Sequence, residues 1–176
     1  DGTLVRLTEI ALVHADAGAD LVIPSGMLDG SIRALRTALS AGRHGDVPVA
    51  SMVKLASHAY ASHRVAVEAV PVAEHAVPLV PLDDAEAARA RALRDVAAGA
   101  DAVVVKPGLV SADLVSRIVA EAARPVLSYF TADEHALFLN EALADPGAME
   151  RESLVAARRA GADLVVTNAA LDTTEA

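Results

Sequence analysis

The sequence predicts an α/β fold organised around a parallel sheet, and three observations carry that reading. A block recurs three times, as "HADAGADLVIPS", "DVAAGADAVVVKP" and "ARRAGADLVVTN". Each copy ends a helical segment, stops it with a left-handed Gly, and passes through Ala-Asp into an apolar run. The runs are short and β-branched with no polar alternation, as a sheet covered on both faces requires. Finally, strand-like and helix-like segments alternate along the chain, the pattern of right-handed βαβ crossovers.

Taken in order, an N-terminal helix leads into a first strand that finishes near Ser25, and a helix follows over 30–41. "VPVASM", after Asp46, opens the second strand, which ends at Lys54. Residues 64–84 fit no regular element: they carry three prolines and exceed the 2–6 residues of an ordinary βα loop. A lid over the strand ends is the expectation for them. Asp83 is read as the cap of a helix over 83–97, Ser111 of one over 111–122, and Asp133 of one over 133–144. The third strand ends at Lys106, the fourth, "RPVLSYF", at Tyr129, and the fifth at Asn168 after a helix over 148–159. Asp20, Asp101 and Asp163 begin strands and are read as turn-forming residues at the end opposite the chemistry.

Two closures compete, an open doubly wound sheet and a (β/α)8 barrel. No GxGxxG follows any strand, which disfavours dinucleotide binding. Polar residues stand at the C-terminal ends of all five strands: Ser25, Lys54, Lys106, Tyr129 and Asn168. That is where barrels of this kind place catalytic groups, although a full barrel takes about 250 residues and this chain has 176.

Composition narrows the function. The net charge of −9 with no basic tract argues against nucleic acid. No apolar run approaches the ~20 residues of a membrane span, and no secretory leader pattern opens the chain. Zero Cys excludes disulfides and thiolate metal sites within this segment, and a cytoplasmic protein is expected. Of the six His, His58 and His63 lie five apart after the lysine strand and His75 falls in the expected lid; a metal site from these is the minor reading, and solvated or capping roles are expected. Glu134, just past Tyr129, is read either as a substrate contact or as a helix-start charge.

Lysine is the sharpest signal. The chain holds thirteen Arg and two Lys, and both Lys end apolar runs, in "SMVKLAS" and "VVVKPG". Burial lowers a lysine pKa, and a second ammonium nearby lowers it further. A neutral amine attacks ketones and aldehydes to form an imine, which an always-protonated guanidinium cannot do. Compositional scarcity of Lys would leave two survivors anywhere; two equivalent strand ends point to chemistry.

In sequence order, "AGADLVIPSGMLDGSIRALRTAL", "SMVKLASHAYASHR", "GADAVVVKPGLVSADLVSRI", "RPVLSYF" and "RRAGADLVVTN" resemble the porphobilinogen synthase, or δ-aminolevulinic acid dehydratase, family along essentially the whole chain. The resemblance implies a (β/α)8 TIM-barrel type, here five βα units, strands four to eight of an incomplete barrel. It implies a lyase joining two 5-aminolevulinate molecules into porphobilinogen on the route to tetrapyrroles. Lys106 matches the lysine that captures the first substrate and Lys54 the one serving the second. Arg64, Tyr60, Tyr129, Ser25 and Asp29 match substrate-binding positions. Family members use zinc or magnesium, but the metal-binding loop lies outside this chain's matching part, so no cofactor is assigned within this segment.

The sequence also departs from the family pattern. Ala132 replaces a carboxylate-binding serine, Asn168 a tyrosine, and Gly26 an acidic residue. Ala76 and Leu79 stand where the lid carries arginine and glutamine, and His63 where an aromatic is usual. Two rivals therefore stand beside the family reaction: a diverged Schiff-base lyase or aldolase on another keto compound, and a catalytically silent homologue serving as a partner subunit. An incomplete barrel exposes a sheet edge and apolar faces, so a homo-oligomer or a partner chain is expected.

Overall fold

Alternating apolar runs and amphipathic segments fold as the sequence expects, into helices packed on a parallel sheet. The computed structural model describes residues 2–68, 79–139 and 145–170. In chain order the elements are α1 (Gly2–Asp16), α2 (Ser31–Ala41), β1 (Ala50–Lys54), a 3-10 turn (His58–Tyr60), α3 (Ala61–Ala66), α4 (Ala85–Ala97), β2 (Ala102–Lys106), α5 (Ala112–Ala122), β3 (Val126–Tyr129), α6 (Ala132–Phe138), α7 (Pro146–Arg159) and β4 (Leu164–Val166). The sheet order is β1-β2-β3-β4 with every pairing parallel. Consecutive strands are thus neighbours, each joined to the next through helix.

Side-chain alternation divides the sheet into two faces. Val53, Val103, Val105 and Val126 point toward α4 and α5, where they pack with Ala88, Ala92, Val115 and Ile118. Ala50, Met52, Ala102, Val104 and Leu127 form a second cluster on the other face, joined by Tyr129 and Val166. Lys54 and Lys106 share the parity of this second set. The register pairs them directly, Cα opposite Cα.

The repeated glycines do what the block predicts. Gly18, Gly99 and Gly161 have φ of 91°, 105° and 107°, each ending a helix in the left-handed region. Two of the aspartates that follow, Asp101 and Asp163, have a more specific role than turn formation. Asp101 donates its N–H to the Val49 carbonyl at 2.8 Å and accepts the Val49 N–H on its carboxylate at 2.9 Å. Asp163 repeats the arrangement on Val126, at 2.8 Å both ways. Each aspartate adds one side-chain rung to the start of the ladder.

Four expectations need correction. The first strand, leading to Ser25, is reduced to a single bridge between Val22 and Val49. Pro24 has no N–H to continue the ladder, and the chain turns away into the 25–29 loop. Asp84, not Asp83, caps α4 by accepting the Ala87 N–H. Thr131, not Asp133, caps α6, and with Glu134 it forms a reciprocal capping box. That helix ends at Phe138; residues 140–144 of its expected span lie outside the described residues. Ser111 does precede α5, but its hydroxyl donates to the carbonyls of Pro107 and Gly108 rather than capping the helix.

Two hydroxyls on the helix-facing side of the sheet, Ser51 and Ser128, are fully buried and have no hydrogen-bond partner among the described residues. An unsatisfied buried hydroxyl costs about 1–3 kcal/mol. Ser128→Ala is therefore expected to stabilise the protein by about 1 kcal/mol, read as a higher urea midpoint with unchanged slope.

Candidate active site

The C-terminal rim of the sheet gathers most of the residues singled out from the sequence. Lys54 and Lys106 end β1 and β2 side by side, and Tyr129 ends β3. The Lys106 amine lies 4.5 Å from the centroid of the Tyr129 ring, within cation–π range. The Lys54 amine donates to the carbonyl of Ser25, which brings the loop after the first bridge to the same place.

The two lysines are half-buried, and their surroundings differ. Burial, then the Lys106 ammonium and the Arg64 guanidinium, push Lys54 down to about 8. Burial also lowers Lys106, with Arg64 acting the same way, but the carboxylates of Glu134 and Asp133 oppose the shift. Lys54 thus sits among cations, while Lys106 has carboxylates in reach. A lysine at about 8 keeps a substantial neutral fraction near neutrality. The reactivity of the Lys54 amine toward a carbonyl compound is expected to rise with pH through a midpoint near 8, because the neutral amine is the reacting species. Borohydride trapping across a pH series measures this; a midpoint at the ordinary lysine value of 10.5 would contradict it.

Arg64 comes from α3, a helix the sequence reading did not anticipate. The Ser57 hydroxyl accepts the Ala59 N–H and starts the 3-10 turn that leads into it. One Arg64 nitrogen donates to the Ser57 carbonyl at 3.1 Å. A cavity of about 330 Å³ lies here, lined by Ala56, Ser57, His58, Arg64, Val65 and Leu79, among others. Val80 pairs beside the end of β1: its N–H donates to the Lys54 carbonyl at 2.9 Å, and its carbonyl accepts the Ala56 N–H at 2.7 Å. Both ends of the expected lid stretch therefore flank the rim. Ala76, His75 and the rest of 69–78 lie outside the described residues, as does the side chain of Tyr60.

Asp29 goes elsewhere. Its carboxylate is exposed and accepts from Arg91 on α4 at 3.1 Å, with Arg94 at 3.5 Å.

Glu134 is the residue the sequence reading weighed least well. It is completely buried, and its carboxylate accepts the N–H groups of Leu109 and Thr131 at 2.6 Å each and of Gly108 at 3.4 Å. It locks the Lys106-Pro107-Gly108-Leu109 turn to the start of α6. The Phe130 ring presses on the same turn: a Cβ at Gly108 would lie 2.4 Å from it. Thr131 ties in the 3-10 turn by donating its hydroxyl to the Ala59 carbonyl. The spacing Thr131-x-x-Glu134 was the available signal, a capping box in plain sequence.

Among the described residues no three His, Asp or Glu side chains converge to hold a metal ion.

The family model described as delta-aminolevulinic acid dehydratase matches residues 1–176. The chain is similar to the delta-aminolevulinic acid dehydratase of Halalkalibacterium halodurans, 36% identical over 98% of this chain and 54% of that protein. It is also 38% identical to the Rhodobacter capsulatus enzyme of that name, over 95% of this chain and 52% of the relative. The Escherichia coli protein is 36% identical over 99% and 55%. Among solved structures, the Toxoplasma gondii delta-aminolevulinic acid dehydratase in complex with its product porphobilinogen superposes with a TM-score of 0.87 at 30% identity. That match covers 98% of this chain and 51% of the other. The chain spans about half the length of the relatives it matches.

Proposed function

This chain belongs to the delta-aminolevulinic acid dehydratase family, a TIM-barrel fold of which it holds consecutive βα units, and we propose that it forms imines with 5-aminolevulinate at Lys106 and Lys54 as part of porphobilinogen synthesis. The observation that carries this reading is the pairing of the two amines in register on one face and at one rim of the sheet.

The chemistry follows from the groups at hand. A neutral lysine amine adds to the substrate ketone; loss of water leaves a carbon–nitrogen double bond, which on protonation withdraws electrons from the adjacent carbon. Lys106 captures one ketone and Lys54 the other, each imine releasing one water. Carbon–carbon bond formation between the two substrates followed by elimination frees one lysine amine, and attack of a substrate amino group on the remaining imine carbon forms the carbon–nitrogen bond and frees the other. Arg64 supplies a fixed cation beside both amines and holds a substrate carboxylate through its forked N–H groups. Tyr129 packs its ring against the Lys106 amine. Tyr60, Ser25 and Asp29 are proposed as substrate contacts on the resemblance of their motifs. Of these, Ser25 is supported by its place beside Lys54, whereas the Asp29 carboxylate is turned toward Arg91 and Arg94. A lid role is proposed for the 64–84 stretch, supported by the return of Val80 to the end of β1.

Among the described residues no helix is long and apolar enough to cross a membrane. A cytoplasmic setting and homo-oligomeric assembly are proposed from the family. Exposed apolar residues such as Val5 and Val13 on α1 and Leu164 on β4 support the assembly.

Incubation with 5-aminolevulinate and borohydride, followed by peptide mass measurement, tests the proposal. Labelling at Lys106 and Lys54 supports it, and coloured porphobilinogen adducts identify the product. Ala132 and Asn168, which replace a serine and a tyrosine of the family motif, favour a second reading, a Schiff-base lyase acting on another keto acid. Labelling by other keto acids but not by 5-aminolevulinate would select it. No labelling by either would leave a catalytically silent partner subunit.

A further inference from the structure

The loop that receives the Lys54 amine has no regular structure of its own, yet it meets that lysine twice. The Ser25 carbonyl accepts from the amine, and the Met27 sulfur accepts the Lys54 backbone N–H at 3.1 Å. One side chain ties this loop down. The Arg91 guanidinium, 8% exposed on α4, donates to the Met27 carbonyl at 2.9 Å, to the Leu28 carbonyl at 3.5 Å and to the Asp29 carboxylate at 3.1 Å. Its Nε donates at 2.9 Å to Asp95, one helical turn on and equally buried. A planar fork with five donors can span three successive residues of a loop while remaining anchored on its own helix; an ammonium cannot.

We infer that Arg91, anchored by Asp95, is a positioning residue that holds the 25–29 loop over Lys54 and thereby keeps that amine half-buried beside Lys106. The inference rests on the proposed imine chemistry for its purpose, but not for its test. Desolvation is the largest influence lowering Lys54, and the loop supplies a direct cover over its nitrogen. Releasing the loop lets water reach the amine, so its affinity for a proton rises.

Trace acetylation with acetic anhydride over a pH series, read on the Lys54 and Lys106 peptides, measures each amine without any turnover. The double variant Arg91→Met with Asp95→Leu replaces the buried pair by apolar groups of similar size, a change helices tolerate. It is expected to move the Lys54 midpoint up by about one unit, reducing its labelling at neutral pH roughly tenfold, with Lys106 unchanged. Arg91→Lys keeps a charge opposite Asp95 without the fork and is expected to shift Lys54 in the same direction; it decides the matter if the double variant does not fold. A Lys54 midpoint unmoved in folded variants overturns the inference and leaves the imine reading intact. An ordinary lysine midpoint at Lys54 in the parent protein overturns both.

Discussion

Under the proposed imine chemistry, Lys106→Met is expected to remove the borohydride-trapped 5-aminolevulinate adduct from the β2 peptide and to reduce any porphobilinogen formation to background. The substitution deletes the only group at that strand end able to make a carbon–nitrogen double bond; Tyr129 and Arg64 beside it cannot replace an amine. The loss has a second consequence at Lys54. Lys106 is the largest charge influence lowering Lys54, after burial. Removing a neighbouring cation makes protonation easier, so the Lys54 trapping midpoint is expected to climb above its value of about 8. Lys106→Arg separates the two effects. It keeps the cation and the lowered midpoint at Lys54, but it forms no imine itself because the guanidinium stays protonated. Trapping at position 54 that proves indifferent to all of these changes would show that the amines do not sense each other.

Glu134→Ala is expected to be the most damaging substitution for stability, by about 3–5 kcal/mol in urea unfolding. The buried carboxylate is the shared acceptor of three backbone N–H groups from two loops. Truncation leaves these donors without their shared acceptor, and each bond to a charged acceptor contributes about 1.5–3 kcal/mol. Glu134→Gln retains one acceptor oxygen and costs less, leaving enough folded protein to examine the chemistry. In that variant the Lys106 midpoint is expected to fall. The Glu134 charge raises it in the parent, and a neutral amide does not. This acidward movement is opposite in sign to that of Lys54 in Lys106→Met. Midpoints that both move the same way would rule out the assigned charge environments.

Much of this protein is legible in one dimension. Period, Gly stops and strand composition suffice for the order of elements, because these are local consequences of backbone sterics and of burying both faces of a parallel sheet. The two lysines are legible for the same reason. A strand end is a local position, and a scarce amine at two equivalent ends stands out against thirteen arginines. The Thr131–Glu134 box was readable too, although the neighbouring Asp133 drew the assignment of the cap.

Other features required three dimensions. The apolar run before Ser25 keeps only the Val22–Val49 bridge among the described residues because the chain turns away after Pro24 into the 25–29 loop, a path the run itself does not reveal. Arg91 and Asp95 look like an ordinary exposed pair four residues apart on a helix. Only packing against the 25–29 loop buries them and turns them toward the rim. Register is the deciding case. Sequence places a lysine at the end of each of two strands, but whether those ends coincide depends on hydrogen bonds between residues more than fifty positions apart. The pairing of Lys54 with Lys106 is set by that ladder, because each strand's side chains alternate strictly and a slip of one residue would send one amine to the opposite face.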